Sequence, residues 1–146
     1  RMKRLATLPN LTNIGFDPYS AGYYGTGGID PEWKASHGNL HPYEYVYTRS
    51  KQALDAITAA GKEHNIWIQT HDNPAGDEED IIVATEAAYD AGARCILSWS
   101  YAAGESNNYR SANPEKAWRM TVEAFRRIRA MERDSILIEN RNQFKK

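Results

Sequence analysis

At 146 residues, with 41% hydrophobic and 25% charged residues, the chain has the apolar content of one globular domain and too much for a disordered one. A formal net charge of −1 excludes the basic face that a nucleic acid or an anionic membrane surface requires; the basic clusters Arg1–Arg4 and Arg141–Lys146 read as solvated tails. A single cysteine, Cys95, excludes an internal disulfide and a cysteine-based zinc site, and its apolar setting Arg94-Cys95-Ile96-Leu97 predicts a buried, inert thiol.

In chain order, Arg1 to Pro9 reads as the tail of a helix. Asn13-Ile14-Gly15-Phe16 is a short apolar run stopped by Asp17-Pro18, which predicts a strand ending in a turn. From Asp17 to about His41 no hydrophobic period is kept, and Gly22, Gly25, Gly27 and Gly28 cluster there. That loop, about 24 residues long, is of a length usually kept for function. Tyr43, Val46, Tyr47, Ser50, Ala53, Leu54, Ile57 and Ala60 then recur at helical spacing, with Pro42 in the first turn and Gly61 as the cap.

Asn65-Ile66-Trp67-Ile68-Gln69 predicts a second strand, apolar on both faces as in a sheet covered on both sides. After the polar loop Thr70–Gly76, the acids Asp77, Glu78, Glu79 and Asp80 open the next helix, where they match its dipole as a solvated turn. Ile81, Ala84, Thr85, Ala88 and Ala91 form its inward stripe and Gly92 its cap. Ala93 to Ser98 predicts a third strand, followed by a loop to Ser111. Asn113-Pro114 opens the last helix, with Ala117, Trp118, Thr121, Val122, Phe125 and Ile128 as its stripe. Ser135-Ile136-Leu137-Ile138 is left as either a terminal strand or a docking segment. No apolar run reaches the roughly 18–20 residues of a bilayer crossing, no signal-peptide pattern is recognisable, and the compartment stays open.

Three strand–helix units in succession predict an α/β fold with a parallel sheet and right-handed crossovers. The stretches Ile14-Gly15-Phe16-Asp17-Pro18-Tyr19, Ile66-Trp67-Ile68-Gln69-Thr70-His71 and Ile96-Leu97-Ser98-Trp99-Ser100-Tyr101 resemble the last three strands of glycoside hydrolase (β/α)8 barrels. Ala87-Ala88-Tyr89-Asp90-Ala91-Gly92-Ala93 resembles the passage from helix to last strand in the same enzymes. The resemblance implies that residues 1–146 form one segment, the C-terminal portion of a TIM barrel. Such a barrel takes roughly 250 residues, so three βα repeats make only part of one.

The resemblance also implies a carbohydrate-active hydrolase. Trp99 matches the tryptophan that closes the last strand and stacks beneath a sugar, and Asp17 matches a general acid after the sixth strand. From the residues alone, Asp17 reads equally as a turn-forming aspartate before Pro18. The seventh strand of the commonest glycosidase clan ends in a nucleophilic Glu, whereas Gln69-Thr70-His71-Asp72 stands here. Glycoside hydrolysis needs two carboxyl groups, about 5–5.5 Å apart for retention and 6.5–9.5 Å for inversion.

Asp17 and Asp72 are the acids placed just after strands, with Glu105 farther out. His71 beside Asp72 reads as a sugar-hydroxyl contact or proton relay, as a loop-backbone partner, or as a metal ligand with Asp17 and Asp72. Asp17, His71 and Asp72 are thus the catalytic candidates. Tyr19, Tyr23, Gln69, Asn73, Trp99, Tyr101 and Glu105 are the saccharide-binding ones, with Tyr24, Trp33, Asn107, Asn108 and Tyr109 beside them.

No cofactor is implied. Two other functions stay open: a non-catalytic sugar-binding barrel and a metal-dependent hydrolase. A flavodoxin-type domain is disfavoured because no glycine-rich loop joins a strand to a helix N-terminus. An open strand edge, and inner faces of Ile14, Phe16, Trp67, Ile96 and Leu97 without an opposite wall, predict self-association or pairing with a missing N-terminal portion. Alone, the chain is then expected to lack the second carboxylate.

Overall fold

A computed structural model describes residues 2–19, 42–73, 75–99 and 110–143. The elements run α1 (Met2–Ala6), β1 (Asn13–Phe16), α2 (Pro42–Ala59), β2 (Glu63–Gln69), α3 (Asp80–Asp90), β3 (Ile96–Trp99) and α4 (Pro114–Gln143). The expected α/β alternation is present, with β2 beginning earlier and β3 later than the apolar runs indicated.

Local chemistry sets the boundaries. At the end of α2, Gly61 takes φ 66° while its N–H donates to Thr58 O (2.9 Å) and that of Lys62 to Ile57 O (3.2 Å). The end of α3 repeats this, with Gly92 at φ 108°, Gly92 N–H on Tyr89 O (2.9 Å) and Ala93 N–H on Ala88 O (3.1 Å). Both are Schellman caps, which need a left-handed residue that glycine adopts without steric cost. At the start of α4, Asn113 Oδ1 accepts the Lys116 N–H at 3.0 Å, the bond an N-cap makes to the third helical residue.

The three strands are parallel in the order β1-β2-β3, with Phe16 beside Ile66 and Ile66 beside Ile96. In an order without reversal, crossovers of one hand leave every helix on the same face. The helices form that layer: α2 packs on α1 and α3, and α3 packs on α4. Beneath them lies the core. Ile66 and Ile68 meet Val46, Leu54, Ile81 and several alanines of α3, while Ile14 meets Ala53 and Ile57. Each fully buried isoleucine is worth about 1.5–3 kcal/mol relative to exposure.

Side-chain alternation decides what remains on the other face. Ile14, Phe16 and Ile96 were expected on an uncovered inner wall; they point instead to the helices. The face that no described helix covers carries Asn13, Gly15, Asn65, Trp67, Leu97 and Trp99. Cys95 shares the parity of Leu97 and Trp99, so its thiol is exposed rather than buried as expected. Its carbonyl still accepts the Ile66 N–H at 2.9 Å.

The segment 135–138 is neither strand nor separate element, because α4 runs unbroken through it to Gln143. Of the expected inward stripe, Ala117, Thr121 and Ile128 are buried and Ala124 joins them, whereas Trp118 and Val122 are exposed. No helix among the described residues is long and apolar enough to cross a membrane.

Candidate functional site

Three parallel strands present their C-terminal ends on one side, so residues that follow them meet there. After β1, the Tyr19 N–H turns back onto the Asp17 carbonyl at 2.9 Å, which brings the Tyr19 ring toward the neighbouring strand. That ring stands edge-on to His71, 5.1 Å between centroids at 84°. Burial, and secondarily the charge of Asp17, raise the Tyr19 hydroxyl above its ordinary pKa.

His71 is held from several directions. Its Nδ1 lies 2.8 Å from the Trp99 carbonyl oxygen, which can only accept, so Nδ1 carries a proton and donates it. The same carbonyl accepts the Thr70 N–H at 2.8 Å. The His71 carbonyl accepts from Gln69 Nε2 (3.1 Å) and Asn73 Nδ2 (3.2 Å). Asp72 follows at φ 52°, the left-handed conformation that aspartate tolerates better than most residues.

Ser111 locks this loop to the start of α4. Its hydroxyl donates to Thr70 O (3.1 Å) and accepts from the backbone N–H and the side-chain amide of Asn73, each at 3.2 Å. Asn73 and Gln69 were expected to bind sugar hydroxyls; both are buried, and their amide groups are committed to holding His71. The Gln69 Oε1 is buried with no hydrogen-bond partner among the described residues.

On the uncovered face, a polar ladder crosses from β1 to β2. Asn65 Nδ2 donates to Asn13 Oδ1 (2.6 Å), and Trp67 Nε1 donates to Asn65 Oδ1 (2.7 Å). A Cβ at position 15 would stand 2.7 Å from Asn65 Oδ1, so any residue but glycine would displace the Asn65 side chain. The Trp67 ring meets that of Trp99 edge to face, 6.1 Å apart at 77°. Trp99 is 53% exposed, so an indole lies open to solvent at the strand ends.

Together Gly15, Asp17, Tyr19, Trp67 and Trp99 line a groove of about 340 Å³. Of the expected site residues, Asp17, Tyr19, His71 and Trp99 come together, and Trp67 joins them. Asp72 is exposed and is not part of the groove lining. Tyr23, Tyr24, Trp33, Tyr101, Glu105, Asn107, Asn108 and Tyr109 lie outside the described residues. No cluster of three metal-ligating side chains occurs among the described residues, so Asp17, His71 and Asp72 do not form a three-ligand metal site. A larger depression of about 760 Å³ lies between α1 and α2, lined by Lys3, Asp55 and mostly alanines. It lacks the aromatic rings of the strand-end groove.

One residue was misread from its neighbours in sequence. Glu78 was expected in a solvated acidic turn, yet it is 2% exposed. It accepts the Gly76 N–H at 3.1 Å and pairs with Lys116 Nζ at 3.0 Å, joining the loop after β2 to the first turn of α4. Burial alone would raise its carboxyl; the bond from Lys116 and the backbone N–H groups outweigh this and hold it below the ordinary value.

In comparisons with known proteins, no family model, no curated protein and no solved structure matches this chain.

Proposed function

We propose that the strand-end groove is the saccharide site of a carbohydrate-active hydrolase, built on βα units of TIM-barrel type. The observation that carries this reading is the solvent-open Trp99 indole beside Trp67, Tyr19 and the Asp17 carboxylate in one groove. Aromatic faces take the C–H surface of a sugar ring, and a carboxylate beside them takes its hydroxyls or protonates a leaving oxygen. The unreversed strand order with helices on one face supports the barrel architecture, in which the uncovered face is the inner wall.

Asp17 is the one carboxylate in the groove lining among the described residues. Hydrolysis therefore draws its second carboxylate from outside that lining, as a missing N-terminal portion of the barrel would supply it. That same single carboxylate favours, as a second reading, a site that binds sugar without cleaving it.

Titration with oligosaccharides, followed by tryptophan fluorescence, tests the site. Saturable quenching is expected, and Trp99→Ala should weaken binding about tenfold, the order of one lost stacking contact. Melting should hardly change, because the indole is exposed. If no saccharide alters the fluorescence, or if Trp99→Ala costs the ~3–5 kcal/mol of a buried tryptophan, the stacking role is wrong. Turnover of aryl glycosides, abolished in Asp17→Asn, separates the hydrolase from the binding protein.

A further inference from the structure

The strand-end groove is bounded by residues from strands that are not neighbours. Tyr19 follows β1 and Trp99 ends β3, and each of these strands pairs with β2 but not with the other. His71, on the loop after β2, reaches both. Its ring meets that of Tyr19 edge-on at 5.1 Å, and its Nδ1–H donates to Trp99 O at 2.8 Å. Yet His71 is absent from the groove lining that Tyr19 and Trp99 form with Gly15, Asp17 and Trp67. It touches the walls without forming one.

The backbone of His71 is anchored in buried surroundings. Its carbonyl accepts from the side-chain amides of Gln69 and Asn73, and Asn73 is bonded in turn to Ser111, just before α4. The Asn73 carbonyl accepts the Ala112 N–H at 2.9 Å, a second tie to the same segment. Gln69, Asn73 and Ser111 are all buried, where hydrogen bonds are electrostatically stronger than in water. Trp99, by contrast, is exposed at the end of its strand, and an element end frays unless it is held. Its carbonyl accepts both the Thr70 N–H and the His71 ring N–H, which uses both lone pairs and fixes the plane of that peptide. The backbone torsions of Trp99 restrict in turn the rotamers of its indole.

We propose that His71 is a positioning residue, which holds the Trp99 indole and the Tyr19 ring in the arrangement that receives a sugar and does not itself touch the sugar. This role rests on the groove being the saccharide site. The atom that performs it is Nδ1, attached directly to Cγ. An asparagine amide places a donor at the same reach, whereas a glutamine amide places it one bond farther out, near Nε2. A direct bond from His71 to a sugar, or proton transfer by it, would use Nε2, because Nδ1 is committed to Trp99 O.

His71→Asn, His71→Gln and His71→Phe, compared with the wild-type chain by two readouts, test this. The indole N–H resonance of Trp99, assigned by its absence from Trp99→Phe, reports the placement of the ring with no ligand present. Oligosaccharide titration followed by tryptophan fluorescence reports the site. His71→Phe keeps a ring beside Tyr19 but no donor; it should shift the resonance and weaken binding about tenfold, the order of one lost hydrogen bond. His71→Asn loses only the edge contact with Tyr19, so it should keep the wild-type resonance and bind within about threefold. His71→Gln should resemble His71→Phe. An asparagine variant as impaired as His71→Phe, or a Trp99 resonance unmoved in every variant, overturns the proposal. So does rescue by His71→Gln and not by His71→Asn, the pattern of direct contact through Nε2. Should His71→Phe not fold, the contrast between His71→Asn and His71→Gln still decides. If the wild type takes no saccharide, the saccharide reading fails, and the resonance by itself shows whether His71 positions Trp99.

Discussion

Gly15 shows how one missing side chain shapes the groove. The Asn65–Trp67 hydrogen bond lies over the β1 backbone, in the space a Cβ would need. Asn65 cannot yield without losing Trp67 Nε1 or Asn13, because it is bonded to both. Gly15→Ala should therefore release the Trp67 indole and cost about 1 kcal/mol, the net worth of a hydrogen bond. Urea unfolding reads the loss, and a shift in tryptophan emission reads the freed ring. An unchanged spectrum would mean that the ladder does not set the Trp67 orientation. Gln69 and Asn73 act at the same scale but inward: they fix His71 through its carbonyl, which leaves the ring to be aimed by Trp99 O.

Among the elements, the loop after β2 depends on α4 through Glu78 and Lys116. The folded carboxyl of Glu78 lies below its ordinary value, so the pair contributes stability above that value, about 4.5, and loses it as pH falls through the folded value. Glu78→Gln should cost about 1 kcal/mol at neutral pH, a charged hydrogen bond discounted for the part-exposed lysine. The wild-type and variant stabilities should converge in acid. Urea melts from pH 7 down to pH 3 check this; parallel curves would show that the charge of Glu78 contributes nothing to folding. A loosened loop should also loosen His71, since Ser111 and Asn73 link the same two elements.

At the scale of the whole molecule, protection is uneven. β2 is paired on both sides and roofed by the helix layer, whereas the far end of α4 projects beyond it. Hydrogen exchange at low protein concentration should be slowest in Ile66–Gln69 and fastest, among the described helices, past position 130. Exchange in Ile66–Gln69 as fast as that past position 130 would speak against a core centred on β2.

The alternation of strands and helices, the glycine caps and the strand ends were legible because their causes are local: hydrophobic period, left-handed backbone, proline and Asn at a helix start. Asp17, Tyr19, His71 and Trp99 were legible as neighbours for one further reason, that parallel strands share an end. Strand parity was not, because a four-residue run such as Asn13–Phe16 is too short to show which side the helices cover. The same ambiguity concealed the exposure of Cys95 and placed Ile14, Phe16 and Ile96 on the wrong face. Ser135–Ile138 reads as a terminal strand or a docking segment, but a helix already propagating from Pro114 extends more readily than a new element begins. The burial of Glu78 and the inward turn of Gln69 and Asn73 rest on Lys116, Ser111 and His71, partners that only the packing of α4 against the β2 loop brings within hydrogen-bond reach.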